Sequence, residues 1–159
     1  MIEQTYHTHI AAVGNWHFLP VPDKEAKTFR NAGHKRVLCS LNGEEPFHCA
    51  LARQKDRGYY IMLSKRRLKE HDLTRGDEVD VQLTEDQSEY QAPMPEALDE
   101  VLKSDYEGYR VFQSLTPGKQ RSIIHMIRRI KSVDLQIERA LTIIENLKLG
   151  IRNNKDLTK

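Results

Sequence analysis

YYIMLSKRRLKEHDLTRGDEVDVQL, residues 59–83, carries an apolar strand, a short basic helix, a tight turn and a second strand in that order. Tyr59, Ile61 and Leu63 alternate with the period of two that a half-buried strand requires, and Val79, Val81 and Leu83 resume it. Between them Leu68 and Leu73 mark the buried side of the helix. Arg75-Gly76-Asp77 supplies the turn, because Gly76 takes a positive φ without a Cβ clash and the Asp77 carboxylate accepts from backbone N–H groups freed there. The unit constrains fold far more than chemistry.

Working outward, residues 4–13 and 16–21 read as strands separated by Gly14-Asn15, with Trp16, Phe18 and Val21 as apolar anchors. Asp23 is the expected N-cap of a short helix over 24–32 that Gly33 closes. Strands near 35–41 and 47–53 follow, giving about six by residue 83. That many short strands fit a small closed or split β-barrel, which buries its edges by closure. If residues 42–46 form the loop of the 35–53 hairpin, Cys39 faces Cys49 directly; a two-residue Asn42-Gly43 turn breaks that pairing.

After residue 86 the composition changes. DQSEYQAPMPE is polar and holds Pro93 and Pro95, and the remainder is helical in pattern. Ala97, Leu98, Val101 and Leu102 form one apolar stripe, and Tyr106, Tyr109, Val111 and Phe112 form a second. Thr116-Pro117 starts a third helix as N-cap and first-turn proline, with Ile123, Ile124, Ile127 and Ile130 inward. Val133, Ile137, Leu141, Ile144 and Leu147 mark a fourth, ended by Gly150. The expected organisation is α+β: a barrel over 1–91, a helical segment over 92–150 and a polar, fraying tail over 151–159.

With 25 basic and 23 acidic residues the formal charge is only +2, too mild to demand a nucleic acid or an anionic membrane. Charge is nonetheless concentrated. Residues 53–75 hold eight basic and three acidic side chains, a local excess of five. No apolar run approaches the roughly 20 residues that span a bilayer, and MIEQTYHTHI lacks the order of a secretion signal, so the expected location is the cytoplasm, with no membrane partner. Two cysteines are too few for a disulfide framework and lack zinc spacing.

Taken in order, Trp16, Pro20, Pro22, Arg36-Val37, Asn42-Gly43, Phe47, Gly58, Leu63, Lys65, Leu68, Gly76-Asp77, Val79 and Val81 resemble a bacterial family with a small barrel domain of unknown function. Phe112, Leu115, Thr116-Pro117, Arg121, Ile127, Lys131 and Arg139 resemble the YdeI/OmpD-associated helical segment that follows it, which carries a bacteriocin-protection label. Strand, basic helix and Gly-Asp turn also look like AbrB-type swapped-hairpin barrels. The chain departs from the family pattern at Asp134, Leu135 and Gln136, where an acidic-Thr-Arg run is usual. Any ligand held through that Thr-Arg pair loses its polar grip here.

The resemblance itself implies little about activity, and the leading expectation is a non-catalytic module that binds an unknown small ligand or protein partner in a protective or regulatory role, with Trp16, Arg36 and Arg139 as candidate ligand contacts. An alternative, drawn from the AbrB likeness, is a nucleic-acid-binding regulator using Lys65, Arg66, Arg67 and Lys69, with Arg121 and Arg128 as a second cationic surface. The bland reading of these cations is a solvated helix face. A second alternative is a small enzyme with its site at the junction of barrel and helices. No Gly-x-Ser-x-Gly elbow or glycine-rich phosphate loop is present. His7 and His9 share one strand face and could ligate a metal, but no third ligand is apparent and a solvated face explains them. No cofactor and no catalytic residue is expected.

Overall fold

The computed structural model describes residues 1–159 and divides into two compact units, Met1–Gln91 and Ala92–Lys159. The chain is mixed α+β, with eight strands and seven helices. Its first unit contains β1 (Glu3–His9), β2 (Ala11–Val13), β3 (Trp16–Val21), α1 (Asp23–Asn31), β4 (Arg36–Leu41), β5 (Phe47–Ala50), β6 (Ala52–Gln54), β7 (Gly58–Leu63), α2 (Lys65–Glu70) and β8 (Glu78–Glu85). They form two antiparallel four-stranded sheets in the orders β1-β8-β4-β5 and β2-β3-β7-β6. The ladders end in two open sheets, so the closed barrel of about six strands is not what the hydrogen bonding builds.

The extra strands arise because two expected strands each break once. Ile10 separates β1 from β2 and Leu51 separates β5 from β6, so each run crosses from one sheet to the other through a single buried apolar residue. Sheet crossing interrupts the ladder, and the orphaned groups find other partners. Ile10 N–H donates to Asp77 O at 2.8 Å and its carbonyl accepts from Gly76 N–H at 2.8 Å. Leu51 N–H donates to Lys35 O at 2.9 Å, and its carbonyl accepts from Arg30 Nη1 at 2.9 Å.

These parallels run through the whole unit. Each half reads strand, buried kink, strand, hairpin, strand, helix, strand, and exchanging the halves leaves both sheet orders unchanged. Leu19 and Ile61, Val21 and Leu63, Ala26 and Leu68, Val37 and Val79, Cys39 and Val81, and Leu41 and Leu83 occupy matching buried positions at one constant offset. The unit is an internal repeat with a pseudo-two-fold axis between β3 and β7. Both inner faces contribute to a single core around Leu19, Phe29, Ile61 and Leu83.

Several local details differ from expectation. Pro22, not Asp23, occupies the N-cap of α1, and Asp23 is its first helical residue. In the β4–β5 hairpin the Asn42-Gly43 turn forms, with φ 52° and 74° and Glu44 N–H donating to Leu41 O at 3.0 Å. Cys39 pairs with Phe47 and Val37 with Cys49, so the direct cysteine pairing is absent and the two thiols are diagonal neighbours. β8 braces this turn: Asn42 N–H donates to Asp80 O at 2.8 Å and Asp80 N–H donates to Asn42 Oδ1 at 2.9 Å, holding the hairpin tip to the neighbouring strand.

In the second unit, α3 (Glu96–Ser104), α4 (Tyr106–Ser114), α5 (Pro117–Arg128), α6 (Val133–Lys148) and α7 (Asn154–Leu157) enclose Leu98, Phe112, Ile123, Ile127, Ile143 and Ile144. Asp105, Thr116 and Ser132 cap α4, α5 and α6 through N–H groups three residues on. Two expectations fail. Val133, Ile137 and Leu141 are exposed, because the buried face of α6 is the one carrying Ala140, Ile143, Ile144 and Leu147. The tail does not fray along its length: Leu157 is fully buried, and its carbonyl accepts from Asn146 Nδ2 at 2.8 Å. No helix is long and apolar enough to cross a membrane.

Candidate functional site

Alternation on β3 and β7 sends Leu19, Val21, Ile61 and Leu63 to the core, which turns Trp16, Phe18, Tyr60 and Met62 outward. An outward face is ordinarily polar. Here Trp16 is 70% exposed, Val13 48% and Met62 46%. Phe18 pairs with Met62, and its ring meets that of Tyr60 edge to face at 5.9 Å and 71°. The Arg57 guanidinium lies 5.7 Å from the centre of the Phe18 ring.

These residues line a groove of about 460 Å³, completed by Gly14, Asn15 and Gln54. That volume lies in the range of small-molecule sites. Two hairpins build its walls. β2 and β3 join through Gly14-Asn15, where Gly14 takes φ 60°, and β6 and β7 join through Lys55-Asp56-Arg57 ahead of Gly58 at φ 78°. Since His17 pairs with Leu63 and Val21 with Tyr59, the hairpins stand at opposite ends of the sheet.

Trp16 is therefore in the groove, but its expected companions are not. Arg36 is half-buried and donates from Nη2 to Gln91 O at 3.4 Å, while Arg139 is an exposed residue of α6 in the other unit. The cations of α2 also diverge. Lys65, Arg66 and Lys69 are exposed, with Arg66 Nε 3.0 Å from Glu70, whereas Arg67 turns back over the Phe47 ring at 3.8 Å. On α5 Arg128 is exposed and Arg121 half-buried. Sequence reasoning missed Phe18, Tyr60, Met62, Gln54 and Arg57 as a set. The available signal was that both residues of each outward pair are large and apolar.

Two other polar clusters bear on chemistry. The side chain of Asp86 is fully buried; it accepts from Ser88 Oγ at 2.5 Å and pairs with His48 Nδ1 at 2.5 Å. Burial opposes its ionisation, but the Ser88 hydroxyl, the His48 ring and the Ser88 N–H outweigh it and hold the carboxyl below its ordinary range. Ser88 is bonded to the carboxylate rather than to the imidazole, and Ser64, near His48, accepts from Arg67 N–H as the α2 cap. Neither hydroxyl is arranged as a base-activated nucleophile. Deeper in the unit, a hydrogen bond with Cys49 together with burial pushes the Cys39 thiol up, and burial does the same to the Tyr6 phenol. A thiol so placed is a poor nucleophile.

His7 and His9 point outward on β1, where His7 Nδ1 lies 2.8 Å from Asp80 and Nε2 3.5 Å from Glu78. No group of three or more metal-ligating side chains is gathered in the structure.

Residues 6–83 match a domain of unknown function (DUF1905), and residues 91–150 match the bacteriocin-protection, YdeI or OmpD-associated family. The chain thus carries the domain of unknown function followed by a YdeI/OmpD-associated segment. The groove lies wholly within the domain of unknown function, as Val13 and Met62 bound its lining in sequence. Among curated proteins none matches the chain.

Proposed function

We propose that this YdeI/OmpD-associated protein is a non-catalytic binding module whose first unit takes a small ligand into the groove between its two hairpins. The observation that carries the reading is the outward row of Trp16, Phe18, Tyr60 and Met62. Leaving such side chains in water on a sheet face wastes burial of about 25 cal/mol per Å², and exposed apolar surface of this kind marks binding sites. The bacteriocin-protection description of the matched helical family supports a protective or regulatory role for that binding. Two buried, reduced thiols, Cys39 and Cys49, support a cytoplasmic location.

Trp16 is the sole tryptophan, so its fluorescence reports the groove and nothing else. A library of small aromatic and aliphatic fragments should contain members that shift Trp16 emission saturably and raise the melting temperature. Trp16→Ala should abolish that thermal shift. Saturable binders whose effect survives Trp16→Ala, or no saturable response across the library, would count against the groove.

A further inference from the structure

The pseudo-two-fold axis crosses the groove, and its lining comes in related pairs. Phe18 and Tyr60 occupy matching positions, as do Val13 and Gln54, and all four line it. The repeat is broken at the hairpins. Where one half has Asn15-Trp16, the other has Arg57-Gly58, so an indole stands at one end and a guanidinium comes from the other. Val13 against Gln54 continues the same bias from apolar to polar. A duplication that kept its aromatic middle and diverged in this direction is suited to an unsymmetrical ligand.

Resting on the groove as binding site, we infer that its ligand is a planar aromatic ring carrying an anionic group. The ring packs against Trp16 and Phe18, and the anion meets Arg57. Arg57 is the one charged residue of the lining, and no carboxylate competes for it there. Its guanidinium already lies near the Phe18 ring, so a ring seated on Phe18 brings a substituent within reach of its N–H fork. Planar guanidinium and carboxylate, phosphate or sulfonate groups match as paired hydrogen bonds. Asn15 and Gln54 supply neutral amides that tolerate polar ring atoms.

The test is calorimetric titration with three probes that share one ring and differ in charge: 2-naphthoate, 2-naphthylmethanol and 2-naphthylmethylammonium. Naphthoate should bind at least about tenfold more tightly than the alcohol, a difference of about 1.4 kcal/mol, and the ammonium weakest. Arg57→Ala should bring naphthoate down to the level of the alcohol without changing the alcohol, and Arg57→Lys should restore part of the difference. Trp16→Ala should weaken all three. Equal affinities, or a preference for the ammonium, would overturn the anionic class while leaving the groove as a site. If none of the probes binds, or Trp16→Ala changes none of them, the inference and the groove reading fall together.

Discussion

Gly108 lies on α4 facing α6, and a Cβ there would overlap Ile144 Cγ2 and stand 3.0 Å from Asp105 Cγ. Helix propensity alone favours alanine over glycine by about 1 kcal/mol. Overpacking of this sort costs about 1–3 kcal/mol, and the cap carboxylate on the other side leaves little room to yield. Gly108→Ala should therefore destabilise the second unit in denaturant titrations followed by circular dichroism; a gain in stability would show that the helices separate without cost. Asp86 gives a pH signature of opposite origin. Its carboxyl is held below the ordinary range, so its contribution is present above the unfolded carboxylate pKa and is lost as pH falls through the lowered folded value. Melting temperatures recorded between about pH 5 and pH 2 should fall less steeply in Asp86→Asn than in the parent chain. Parallel curves would mean that the His48–Asp86–Ser88 cluster adds nothing to stability.

Elements held by local chemistry were legible in part. Thr116 caps α5 ahead of Pro117 as expected, because a cap is a matter of residues three apart, whereas at α1 Pro22 takes the place expected of Asp23. The breaks at Ile10 and Leu51 were not legible. Neither is a glycine or proline, and each is apolar like the strand residues around it; the strand divides there because two sheets must share it. The repeat was not read from the sequence: Val37-x-Cys39-x-Leu41 and Val79-x-Val81-x-Leu83 share one alternation, but the residues beside them differ in character, Arg36 against Glu78 and Leu38 against Asp80. Its asymmetry yields a prediction. Ile10 has its carbonyl satisfied by the Gly76 backbone, whereas Leu51 depends on the Arg30 side chain. Arg30→Ala should leave a buried carbonyl without this partner and cost about 1–3 kcal/mol. A change below about 0.5 kcal/mol in equilibrium unfolding would show that another donor takes its place.

At the scale of the whole molecule, the two units have separate cores and separate family matches, and the site belongs to the first. Of the groove's lining, only Trp16 was expected from the sequence as a ligand contact. Arg57 was counted there among the cations of residues 53–75, since nothing local shows that its hairpin folds over the aromatic face built by β3 and β7. Trp16 and Arg57 lie far apart in sequence, and only the pairing of Phe18 with Met62 brings their hairpins onto a common groove. The most direct measurement is a two-dimensional ¹⁵N–¹H spectrum titrated with 2-naphthoate. The Trp16 indole N–H and the Asn15 and Gln54 side-chain amides should shift together along one saturation curve, with second-unit resonances unmoved. Shifts centred on the α2 lysines or on α5 and α6, with the indole resonance stationary, would contradict the groove as the binding site.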